Sequence, residues 1–264
     1  MDLINIAYYL VRYANVWCLL AIVETVFVML TTKSNYTVKR NVKVAVNKTG
    51  LLIIFAAVAD MFSYYGYGIP GNQYWVFIGY FIVYQVPVLV PVIYCDALNP
   101  AFGKSHLGIL IRFTAFIYGV SMVLNFFYPI YFYINENAVY MQKDFWFIRP
   151  LVVVIIYFVI FSNVLLDKYA LTKTEVNTFN YVLVLFIIGV LYTDFFYAGQ
   201  IIELVLASGF SFMTRMFQNL ELKTDPVTRL SNRVVYTEEA FENKDSSDLV
   251  VVSIDINNSN FPHK

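Results

Sequence analysis

The chain has 264 residues, 59% of them hydrophobic, 19% aromatic and 14% charged, with a formal net charge of zero. A soluble domain carries about 25% charged residues, so this is the composition of a membrane protein. The balanced charge lacks the basic excess of a nucleic-acid binder, and no nucleic-acid partner is expected.

No basic region or small-residue cleavage site follows Met1, so a cleavable signal peptide is not expected. Residues 3–13 read as a short amphipathic or lipid-facing lead-in. Seven continuous apolar segments follow, at 14–31, 51–67, 74–95, 109–132, 147–166, 178–196 and 198–216. Each comes near the ~20 residues a helix needs to cross the hydrocarbon core. A transmembrane β-barrel would show short alternating segments instead. Only Ala198-Gly199-Gln200 separates the last two segments. A tight helical hairpin is the preferred reading there, and one long bent helix is the alternative. The expected fold is an all-α membrane protein, a seven-helix sensory bundle over residues 1–216.

Lysine and arginine favour the cytoplasmic side. The first connection holds Lys33, Lys39, Arg40, Lys43 and Lys48, the third Lys104, and the fifth Lys168 and Lys173. The second has none and the fourth only Lys143 before Arg149. Odd connections are then inside, which puts the N-terminus out and the C-terminus in the cytoplasm. The sequons at Asn35 and Asn47 fall inside and carry no meaning.

The two cysteines, Cys18 and Cys95, sit in apolar segments without a CxxC pair. They read as small apolar side chains, with neither a disulfide nor a zinc site indicated. Glu24 and Asp60 fall near the middle of the first two spans at similar depth. A charge there costs a few kcal/mol, so both should face protein or water. If they meet, one should hold a proton, because neighbouring carboxylates resist double ionisation. They are candidates for a ligand contact, a proton-linked switch or an inter-helix lock; the alternative is a neutral acid bonded to a neighbouring helix. Asp194 and Glu203 flank the outer hairpin, and Arg149, at the same level, could pair with either. Pro87 and Pro91 should bend the third span. The outer ends are rich in aromatics, including Tyr65, Tyr67, Tyr74, Trp75, Tyr128, Tyr131, Tyr140 and Trp146. These form either an interfacial belt or the lining of a pocket for an unknown small molecule, capped by the second and fourth connections.

The last span continues into an exit helix at 217–224. Phe210, Met213, Phe217 and Leu220 are spaced 3, 4 and 3 apart, the rhythm of a dimer seam or of a lipid-facing stripe. Asp225 before Pro226 is a helix start. That helix should run to about Asn243, and a buried strand should follow from Leu249 to Asp255.

Asp225-Pro-Val-Thr-Arg-Leu-Ser-Asn-Arg233, about twenty residues before a strand ending Ser-Ile-Asp-Ile-Asn-Asn, resembles the opening of a GGDEF domain, the diguanylate cyclase family. Asp225, Thr228, Leu230, Asn232 and Arg233 match the family pattern, while Val227 and Arg229 depart from it. The resemblance covers residues 225–260. It implies a bacterial plasma-membrane protein that makes cyclic di-GMP from GTP with Mg²⁺, and it places Asp255 at a metal-ligand position. Asn257, Ser259, Asn260, His263 and Lys264 replace later family residues, and the GGDEF signature with its second carboxylate is absent. One carboxylate cannot organise a metal pair, so no cyclase activity is expected of these 264 residues. A helix and a single strand cannot bury the strand's valines, so 225–264 reads as the N-terminal fragment of such a domain. The function expected is that of a membrane sensor coupled to cyclic-di-GMP output. The alternatives are a non-catalytic receptor or interaction protein and, against the lack of an internal repeat, a small-solute transporter.

Overall fold

A computed structural model describes residues 3–36, 38–98, 104–168, 173–195 and 202–222. In chain order the elements are α1 (Leu3–Ser34), α2 (Arg40–Gly66), α3 (Gln73–Leu98), α4 (His106–Phe127), β1 (Phe132–Ile134), β2 (Tyr140–Gln142), α5 (Ile148–Lys168), α6 (Lys173–Phe195) and α7 (Ile202–Leu222). The chain divides at Glu221–Leu222, and the described residues belong to the first unit, Leu222 excepted.

Each apolar segment has become a helix. In lipid a chain must satisfy its backbone polar groups within itself, and a continuous apolar run can do so only as a helix. Val16–Ser34, Arg40–Gly66, Gln73–Ile93 and His106–Phe127 are long and apolar enough to cross a membrane, and Ile148–Val159 is a shorter apolar stretch. These four spans mark a membrane protein. Its outward faces fit that solvent: Phe62 is 71% exposed, Phe116 67% and Leu30 61%. Such surface would be a liability in water.

Residues 3–13 lead into the first span as a continuous part of α1, which begins at Leu3. Two expectations need correction. The fourth segment stops at Phe127 rather than 132, because Pro129 follows and the chain turns into strands. The fold is therefore not purely α: β1 and β2 pair antiparallel, with Tyr133 opposite Met141. The turn is closed by Asn135, whose Oδ1 accepts from the backbone of Asn137 at 3.0 Å and Val139 at 2.9 Å.

Asn125, buried at the end of α4, anchors this hairpin. Its Oδ1 accepts from the backbone N–H of Ile130 and Tyr131, each at 2.8 Å, and its Nδ2 donates to the Phe132 carbonyl at 2.9 Å. One side chain thus satisfies backbone groups that the helix end leaves orphaned. The second connection meets the hairpin as well, where Gly68 N–H donates to the Ala138 carbonyl at 3.2 Å. Half-burial pushes the Tyr67 phenol above the usual tyrosine range, and the nearby backbone of Tyr140 pulls the other way.

The core lies where α2 packs between α1 and α3. Gly79 of α3 makes the closest approach. A β-carbon there would collide with the Ser63 side chain and lie 3.0 Å from the Ala59 carbonyl oxygen. Gly79→Ala is expected to cost about 1–3 kcal/mol by overpacking, read as a lower unfolding temperature in a fixed detergent. An unchanged unfolding temperature would mean the two helices do not approach this closely.

The far helices fix two directions. Phe186 lies against Gly209 and Val205 against Gly189, so α6 and α7 run antiparallel. This is the helical hairpin and not a single bent helix. Cys18, Glu24 and Thr32 of α1 meet Glu203, Ser208 and Gln218 of α7 in ascending order. Helices α1 and α7 therefore run parallel.

Candidate functional site

Cys18 from α1, Asp60 from α2 and Glu203 from α7 converge inside the bundle. One donor atom of each lies within 4.8 Å of the other two. All three residues are buried: Cys18 is 1% exposed, Asp60 6% and Glu203 0%. The Cys18 thiol donates to Asp60 Oδ2 at 3.6 Å. Ser63, one turn on, donates to the Asp60 carbonyl at 2.8 Å and reaches Oδ1 at 3.5 Å. Oδ1 is thereby held on the α2 side, leaving Oδ2 for the cluster.

Glu203 is the exception among these groups. Neither of its carboxyl oxygens accepts from a hydroxyl, thiol or amide of another described residue; the neighbour within hydrogen-bonding reach is the Asp60 carboxyl. A buried acceptor without a donor is costly, and more so when it can carry charge. Two carboxyls in a dry interior resist double ionisation, and either a shared proton or a bound cation relieves them.

The structure redistributes the candidate residues. Glu24 and Asp60, placed at similar depth, do not bond to each other. Instead Glu24 accepts from Ser208 Oγ of α7 at 3.0 Å and is only partly buried. Asp60 turns to Cys18 and Glu203, partners that no local pattern assigns to it. Glu203 does not pair with Arg149, whose guanidinium carbon sits 3.6 Å from the centroid of the Tyr84 ring. Pro87 and Arg149 line a small gap with Tyr84, Val190 and Ile202, and α3 continues through both Pro87 and Pro91. The cysteine read as a bland apolar side chain is the thiol of the cluster. Its signal was depth: Cys18 is near the start of the first span, Asp60 stands just under two turns before the end of α2, and Glu203 is near the start of α7. With α1 and α7 parallel and α2 reversed, these positions share one end.

The outer aromatics divide. Tyr65, Tyr74, Trp75 and Tyr128 are 59–73% exposed, whereas Tyr131 is 7% exposed. Phe132 is fully buried, stacked on Phe77 at 5.2 Å and on Tyr140 at 5.3 Å, with Tyr84 edge-on at 5.3 Å. Around Phe132 the rings pack on one another.

The exit-helix seam changes as well. Phe210 is 4% exposed and Met213, partly buried, packs against the same core, so both make contacts within this chain. The side chains of Phe217, Leu220 and Asp194 lie outside the described residues. So do Asp225, Thr228, Leu230, Asn232, Arg233 and Asp255, with the helix and strand expected around them. Asp255 followed by Asn257 and Ser259 offers a single carboxylate, which does not fit a pair of Mg²⁺ ions. No family model matches this sequence, and neither a curated protein nor a solved structure matches it.

Proposed function

We propose that this chain is the membrane receiver of a signalling protein, in which seven helices cross the bilayer and α7 carries the state of the buried cluster to a cytoplasmic GGDEF-type output segment. The observation that carries the reading is the placement of Glu203. It stands in the cluster at one end of α7, and the helix continues from it without a break to Leu222, three residues before Asp225. A helix of 21 residues at about 1.5 Å per residue transmits a tilt or rotation over roughly 30 Å. Parallel α1 and α7 support an odd number of crossings, with the termini on opposite sides. The basic first, third and fifth connections support a cytoplasmic C-terminus.

Pairing of two copies through the exit helix belongs to the same reading, with Phe217 as the residue for crosslinking. Exclusively monomeric product at every protein concentration would remove that part. The segment at 225–264 supplies one family-position metal carboxylate, so the 264-residue chain given GTP and Mg²⁺ is expected to make no cyclic di-GMP.

The transmission claim is tested by joining an active cyclase domain after Thr224 in place of the residues that follow. Asp60→Asn or Glu203→Gln is expected to change its cyclic-di-GMP output several-fold. Output that stays flat across both substitutions, with the protein inserted and a reporter after Leu222 reading cytoplasmic, sinks the reading.

A further inference from the structure

We infer that Cys18, Asp60 and Glu203 form a binding site for a single divalent cation of the Zn²⁺ class. The site stands on three side chains from three helices and does not depend on the output segment. The first observation is convergence: a thiol and two carboxyls place one donor atom each within 4.8 Å of one another, all buried. The second is the Glu203 carboxyl, wholly buried, with an oxygen in that group and with no hydroxyl, thiol or amide of another described residue donating to either oxygen, so that its neighbour within hydrogen-bonding reach is the acidic Asp60 side chain. It points at the cluster, where a proton shared with Asp60 or a bound cation can complete it.

The spacing suits the ion. Zn–S and Zn–O bonds of about 2.3 and 2.0 Å at a tetrahedral angle separate S and O by roughly 3.5 Å, and Cys18 Sγ and Asp60 Oδ2 are 3.6 Å apart. Ligand type narrows the choice. Carboxylates alone favour Mg²⁺, Ca²⁺ or Mn²⁺, and thiolates alone favour softer ions; the mixed set suits Zn²⁺, which accepts both. Ser63 on Asp60 is the outer partner that orients a carboxylate ligand. On binding, the Cys18 S–H proton leaves to water as the S–Zn bond forms, and any carboxyl proton is released with it. Three anionic ligands around a dication leave one net negative charge, far cheaper to bury than three. Three protein ligands leave a fourth position for water or a small ligand.

The test uses the full chain in detergent micelles, stripped with chelator, re-equilibrated with Zn²⁺ and counted by elemental analysis. One Zn²⁺ per chain is expected for the wild type and for Cys95→Ser, and at least tenfold weaker binding for Cys18→Ser and Glu203→Gln. A sub-stoichiometric count in the wild type, meaning protons only, overturns the proposal. So does a full count that survives both substitutions. Co²⁺ loading of Cys95→Ser needs no disruptive variant, because Cys18 is then the only thiol. A thiolate-to-cobalt charge-transfer band supports the site, and its absence overturns it. Zn²⁺ binding with flat output from the cyclase chimera keeps this site and removes the receiver reading; the reverse result does the opposite.

Discussion

Replacing Phe132 with alanine is expected to lower the unfolding free energy by about 3–5 kcal/mol, the range for truncating a buried phenylalanine. The ring is 0% exposed and lies among Phe77, Tyr80, Tyr84 and Tyr140. Two of these contacts are stacked and one is edge-on, geometries that add to the burial of area. The ring cannot be replaced by collapse of its surroundings, because its backbone is pinned. Asn125 holds both the Phe132 carbonyl and the N–H of Tyr131, and Lys143 N–H donates to the Tyr131 carbonyl at 2.9 Å. A cavity should therefore persist. Its effect should reach Tyr84, which carries the Arg149 guanidinium on its ring. The measurement is thermal unfolding in one detergent, with Tyr128→Ala as control. Tyr128 is 73% exposed, and its truncation should stay within about 0.5 kcal/mol. If the two variants unfold alike, the hairpin is not packed on the bundle as described.

The helices were legible in the sequence because the rule behind them is local. A run of apolar residues of span length has one way to satisfy its backbone in lipid; the seven apolar segments are helical among the described residues, and four of those helices are long and apolar enough to cross a membrane. Boundaries were less legible. Tyr128 to Phe132 is as apolar as the helix before it, and what ends the helix is Pro129 and a hydrogen-bonding side chain, Asn125, that hydropathy counts only as a polar interruption. The hairpin was missed because its strands have three residues each, too short for alternation to register. Asn135-Glu136-Asn137 between aromatic and β-branched neighbours was the available turn signal. The cluster was half legible. Asp60 stood out by cost of burial, but its partners depend on which helices adjoin and how each is rotated. Both are tertiary choices, and they turned Glu24 toward Ser208 and brought Cys18 inward.

The Glu203→Gln variant should reverse its sign with metal. In chelator, the wild-type carboxyl has two buried acceptor oxygens that no hydroxyl, thiol or amide of another described residue satisfies, and an acidic neighbour in Asp60. Glutamine keeps the volume and brings N–H groups that an Asp60 oxygen can accept, so the variant is expected to be more stable by about 1–3 kcal/mol. The same trade appears when a poorly compensated buried charge is replaced by a neutral group of similar size. In Zn²⁺ at a thousand times its dissociation constant, the wild type gains about 4 kcal/mol by mass action. The variant, having lost an anionic ligand, gains little, and the order of unfolding temperatures should invert. Each half has its own failure. A variant less stable than the wild type in chelator means that Glu203 already has a donor. A variant that stays ahead in Zn²⁺ means that Glu203 is not a ligand. Inversion requires both the orphaned carboxyl and the cation that completes it, which is why one pair of melting curves with and without zinc discriminates better than either condition alone.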